Sequence, residues 1–228
     1  MINIPKTLYF NFKYLPFRQA VKLPIYCHDV IMDDMRGGIT IDSPNIRRGM
    51  ISLGKWGVKI FHDKKFIWSN HGGGIIFRGK CQIGAGSALV INDKSHLIFG
   101  DNFKNAYGMK IVASRKIEFG KHVSIGWNVL IMDTNFHPLK NKLTGLKSKG
   151  GAPITIGDYN WISTNSVILP GVTTPQNVIF ALGSIVNKGI NWDSFSLYGG
   201  SPLHKLRDNI YRDYNDDRDE YAFQKRLE

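Results

Sequence analysis

An apolar or small residue returns every six positions from Ile156 onward, at Ile156, Ile162, Ile168, Thr174, Phe180 and Val186. Four residues after each start comes a second slot, mostly slender: Asn160, Ser166, Val172, Val178 and Ser184. The same step links Phe119, Ile125 and Ile131, with Val123 and Val129 in the second slot, and links Ile83 to Leu89 with Ser87. Phe99, Asn105, Ile111 and Ile117 keep the step in a shifted frame. A step of six fits neither the 3.6-residue period of a helix nor a plain succession of hairpins. It fits a short strand and a turn, repeated, with Gly, Asn or Asp where the backbone bends sharply. Three such units close one triangular coil, and coils stack about 4.8 Å apart by strand pairing. Hexapeptide repeats of this kind predict an all-β parallel β-helix.

The widest break in the step lies between Ile131 and Ile156 and holds DTNFHPLKNKLTGLKSKGGAP. Its Gly, Lys, Asn and Pro content predicts an exposed excursion over about 133–153, and long loops on rigid scaffolds are where function tends to sit. Residues 27–82 read as irregular early coils, so the solenoid is expected over 27–201. The aromatic and basic segment 1–26 is expected to cap its open end, because terminal repeats need capping. Residues 202–228, charged and with heptad-like apolar spacing, are expected to form a C-terminal helix.

A chain of 228 residues can bury a core without disulfides or structural metal. Two cysteines, Cys27 and Cys81, exclude a disulfide scaffold and fit a reducing compartment. No apolar run reaches the ~18 residues of a membrane span, and the N-terminus lacks the unbroken apolar run of a secretory signal. The cytoplasm is therefore the expected location. The formal net charge of +12 favours anionic partners. No nucleic-acid motif accompanies it, although a non-enzymatic basic solenoid binding nucleic acid is the reading of another class. Gly72-Gly73-Gly74 lacks the Lys-Ser/Thr of a phosphate loop and reads as a tight turn or close coil packing.

The pieces FGKHVSIGWNVLIMDTNFHPL, PITIGDYNWISTNSVILPGVT, GSIVNKG and GGSPLHKL follow one another in order between Phe119 and Leu206. This stretch resembles the hexapeptide-repeat acetyltransferases of the left-handed β-helix class. It is especially similar to galactoside and maltose acetyltransferases and to O-acetyltransferases of bacterial polysaccharide synthesis. The resemblance implies a homotrimer, acetyl-CoA as donor, and active sites in clefts between subunits. It makes His137 the general base that takes a proton from an acceptor hydroxyl, a role suited to imidazole near pH 7. Asp133, four residues before it, is the candidate to orient the ring. The resemblance puts Trp161, Ser163, Gly183 and Ser184 along the pantetheine chain, and Lys188, with His204, Lys205 or Arg207, near the nucleotide phosphates. Ser163 stands where relatives carry Gly, and the ending Gly200-Ser201-Pro202-Leu203-His204 departs from their Gly-Asn-Pro-Ala-Lys.

Each residue also has a plainer reading. Trp161 suits core packing, Asp133 an ordinary turn, and Lys188 and His137 a solvated surface. The remaining histidines lack the His-x4-His spacing of the zinc-binding carbonic anhydrases on this scaffold. The acceptor is expected to be a sugar, nucleotide-sugar or lipid-linked sugar, read by Asn105, Tyr107 and Asn128. A small xenobiotic or an amino-sugar amine is the alternative acceptor. Tyr9, Phe10, Phe12, Tyr14 and Phe17, mixed with Lys6, Lys13, Arg18 and Lys22, allow peripheral contact with the inner face of a membrane.

Overall fold

The computed structural model describes residues 1–57 and 64–214. Its strands form three sheets of nine, seven and five strands, and the chain visits the three in turn. Lys110–Ala113 lies in the seven-stranded sheet, Lys116–Phe119 in the five-stranded sheet and Ser124–Ile125 in the nine-stranded sheet. Among the described strands every pairing is parallel except one at the C-terminal end, and isolated antiparallel bridges join Thr134 to Gly151 and Lys140 to Lys147. This is the expected all-β, left-handed parallel β-helix with an N-terminal cap.

The register explains the step of six and its frame shifts. Trp161 pairs with Ile179 and Ile179 with Leu197, so one late coil takes 18 residues, or three hexapeptides. Lys104 pairs with Ser124, a coil of 20. Ile25, Ile51 and Cys81 stand in line, so the early coils take 26 and 30 residues and their corners carry the excess. Ile125 pairs with Ile162, 37 residues on, because the excursion leaves in between. All the residues of the six-step, in both slots, are buried, polar Asn105, Asn160 and Ser184 included. Inside, Phe77, Phe99 and Phe119 stack in successive coils at 5.3 and 5.6 Å between ring centres. At the Gly72–Gly74 turn the coils close tightly: a Cβ on Gly73 would lie 2.5 Å from Ile91 and 2.7 Å from the Asn92 carbonyl.

The cap is helix α1 (Ile4–Tyr14) followed by the short α2 (Phe17–Ala20). Asn3 caps the first helix by accepting the Lys6 N–H at 3.1 Å, and Pro5 sits in the first turn, where a missing N–H costs nothing. The first solenoid strand, Ile25–Cys27, would otherwise expose an unpaired edge. Asn11 bonds both the N–H and the carbonyl of Ile25, and Thr7 accepts the Cys27 N–H, so two polar side chains stand in for a neighbouring strand. Phe10, Tyr14 and Trp68 pack behind them, and the Trp68 indole N–H donates to Tyr14 Oη at 3.0 Å.

The expected C-terminal helix does not start at 202. His204–Arg207 is a strand, paired antiparallel to Ser196–Gly199. The last coil leaves a ladder unpaired, and folding back onto it satisfies more backbone than a solvent-exposed helical turn would. The remainder of the expected helix, 215–228, lies outside the described residues.

Candidate active site

The excursion leaves the solenoid through a clamped neck. Asn135 N–H donates to the Gly150 carbonyl at 2.8 Å, Ala152 N–H to the Asp133 carbonyl at 3.0 Å, and Arg115 Nη2 to the Lys149 carbonyl at 2.6 Å. Beyond the neck the segment is a hairpin-like arm, not an irregular loop. Ser148 N–H donates to Leu139 O, Asn141 N–H donates to Leu146 O, and Asn141 Oδ1 accepts from Leu143 and Thr144 to close the tip.

His137 lies at the base of this arm, exposed, with its backbone N–H donating to Asn135 O at 2.6 Å. Asn135 lines a cleft of about 560 Å³ between the neck and the solenoid corners below it. Lys149, Leu169, Pro170, Asn187 and Lys188 are among the other residues that line it. Two ammonium groups border this space, which favours an anionic occupant. Lys188, expected near phosphates, is thus in the same cleft as the neighbour of His137. Of the lining residues, Lys149 belongs to the lysine cluster Lys140, Lys142, Lys147 and Lys149 that the sequence offers as electrostatic guidance for an anionic ligand, whereas Leu169 and Asn187 went unrecognised. Their signal was present: Leu169-Pro170-Gly171 and Asn187-Lys188-Gly189 are 18 residues apart, and so share one corner of successive coils.

Asp133 does not orient His137. It is fully buried, and its two carboxylate oxygens accept the backbone N–H groups of Ser114 at 2.7 Å and Arg115 at 2.8 Å. Burial lifts its carboxyl above the usual value of 3.8, against the pull of those N–H donors. Its task is to hold the coil above to the neck of the arm.

The acceptor candidates separate. Asn105 is 1% exposed; its Oδ1 accepts from Gly84 N–H and Ser87 Oγ, and its Nδ2 donates to Gly126 O. It rivets three coils and cannot read a ligand. Tyr107 is buried with its ring over Gly86. Asn128 alone is exposed, at a left-handed corner of φ 53°, in the column that continues with Asn165 and Gly183.

The donor candidates also separate. Gly183 is exposed with open space around it, and its φ of 73° suits glycine, but its N–H already donates to Thr164 O at 2.9 Å. Ser184 turns inward, with Oγ on Ala181 O. Ser163 is half-buried, its N–H on Phe180 O. Trp161 points outward and is half-buried under the Arg212 guanidinium, 4.8 Å from the ring centre, so it is not core. Lys205 is held by Asp208 at 2.7 Å and Asp193 at 2.9 Å, and those carboxylates keep its pKa above the usual value. That pairing removes it as a ready phosphate ligand. Arg207 is exposed on the same strand.

No family model matches the chain. Its curated homologues are acetyltransferases, in agreement with the motifs. It is 36% identical over 96 residues to a galactoside O-acetyltransferase of Escherichia coli, covering 42% of this chain and 47% of that one. It is 37% identical over 98 residues to a putative acetyltransferase of Saccharomyces cerevisiae, covering 42% and 48%. The chain spans about half the length of these curated relatives. Among solved structures it resembles the polySia specific acetyltransferase NeuO, with TM-score 0.51 and 18% identity over 90% of this chain and 94% of that one. That likeness is one of fold.

Proposed function

We propose that the chain transfers an acetyl group from acetyl-CoA to a sugar hydroxyl, in the assembly of a surface polysaccharide or glycan, with His137 as general base. The observation that carries this reading is the cleft at the arm's neck, which Asn135 of the Asn-Phe-His-Pro run and Lys188 both line. The names of the curated relatives, galactoside O-acetyltransferase among them, support the same chemistry. The acceptor oxygen attacks the thioester carbonyl carbon while its proton passes to the imidazole. The carbon–sulfur bond then breaks, the sulfur takes the proton as CoA thiol, and the acetyl group remains on the acceptor as an ester. Lys149 and Lys188 supply the positive field for the phosphates of the donor. The arm's exposed leucines support a homotrimer in which each arm meets the next solenoid.

Thiol release from acetyl-CoA, measured across sugars, nucleotide-sugars and amino-sugars, tests the reaction and identifies the acceptor. His137→Ala is expected to lower turnover by ~10²–10⁴-fold with an unchanged circular dichroism spectrum, because the ring is exposed. Turnover equal to wild type in that variant would remove His137 from the mechanism.

A further inference from the structure

Helix α1 is partly inverted relative to an ordinary surface helix, which buries an apolar stripe and shows polar residues to water, although Phe10 is buried in the ordinary way. Here the polar Thr7 and Asn11 turn inward and are occupied by the first strand. Ile4, Leu8 and Phe12, at i, i+4 and i+8, share the outer face, 66%, 42% and 49% exposed, with Tyr9 beside them. Helix α2 enlarges the patch: the Phe17 ring lies 6.2 Å from that of Phe12 and is 73% exposed. Single exposed apolar residues are ordinary, but a contiguous group of this kind marks a contact surface.

The charge around the patch is one-sided. Residues 1–28 contain no Asp or Glu. Lys6 is engaged with the Val30 carbonyl at 2.6 Å, while Lys13, Arg18 and Lys22 are exposed.

We propose that this end of the solenoid docks on the surface of an anionic phospholipid bilayer. The aliphatic and aromatic side chains enter the boundary between headgroups and acyl chains, and the three cations meet lipid phosphates. A second copy of the chain is a poorer occupant, since two such faces would oppose like charges with no acid between them. Nucleic acid offers nothing to Ile4 and Leu8.

The test is co-sedimentation of the whole chain with vesicles of phosphatidylglycerol and phosphatidylcholine in equal parts, and with phosphatidylcholine alone. Binding is expected only to the anionic vesicles and is expected to weaken with added salt. The double variant Phe12→Glu/Phe17→Glu is expected to lower the partition coefficient by about tenfold or more with its thermal melt unchanged, since both rings point outward. Leu8→Ser, a milder change on the same face, and the double variant Lys13→Glu/Arg18→Glu lower it in the same direction. The idea is overturned if the wild type stays in the supernatant at low salt, or if the Phe12/Phe17 variant binds as well as wild type. It is equally overturned if sedimentation velocity shows the wild type pairing through this face without binding vesicles. None of these variants touches the cleft, so acetyl transfer to a soluble acceptor is a separate readout.

Discussion

A buried side-chain amide can stand in for backbone where a coil turns its corner. Asn105 does so for the strands at Gly84 and Gly126, and Asn160 repeats the arrangement with Gly157, Pro175 and Val178. Asn105→Ala leaves the Gly84 N–H without its partner inside the solenoid, at an expected cost of about 1–3 kcal/mol in urea unfolding. A residue that read the acceptor would instead raise KM with stability intact, so the two measurements together separate the roles. The inward position of Asn105 was legible, because it occupies the same step as Phe99 and Ile111. Its assignment to the acceptor gave a polar side chain more weight than its place in the repeat. Asp133 carried no comparable signal. Its partners Ser114 and Arg115 lie almost one coil earlier, and coil length varies from 18 to 22 residues in the later coils outside the excursion and reaches 30 in the early ones. The exposed setting of His137 was legible through the break in the repeat, while Lys188 was singled out by the family resemblance alone.

The elements at the two ends depended on tertiary context more than the coils did. The last residues have the spacing of a helix, yet the open ladder at Ser196–Gly199 draws His204–Arg207 into a strand, and tertiary pairing overrides local preference. The cap was legible as a cap, but its inversion was not, because Thr7 and Asn11 look like solvent-facing residues until a strand edge is set beside them. The same cap has a titratable joint. Burial raises the Tyr14 hydroxyl from 10.0 to about 12, with the Trp68 N–H pulling weakly the other way. Between those two values the folded chain retains a proton that the unfolded chain has released. Stability therefore falls as pH rises from 10 toward 12. Tyr14→Phe removes the titration, so its melting temperature is expected to decline less than that of wild type over this interval. Parallel slopes for the two proteins would show that Tyr14 is not the group responsible.

On the scale of the whole molecule, the arm is the element that one chain leaves unfinished. Leu139, Leu143 and Leu146 are 73%, 93% and 71% exposed, on a hairpin closed by its own backbone bonds. Holding three leucines in water this way forgoes about 1.5–3 kcal/mol for each that a partner surface would bury. Leu139 also lines the cleft beside Asn135, so a second solenoid against the arm would both cover the leucines and border that space. On the proposed reading the solution state is a trimer, with a sedimentation mass about three times 25.8 kDa. Leu143→Glu/Leu146→Glu places charges on that contact, and is expected to yield monomers that have lost acetyl transfer by more than about tenfold while keeping the β spectrum of the solenoid. His137→Ala, in contrast, is expected to stay assembled and lose transfer. If the leucine variant dissociates and still turns over at the wild-type rate, each cleft is complete within one chain and the arm acts only as a clasp between copies. If it remains a trimer, the leucines face something other than a neighbouring copy.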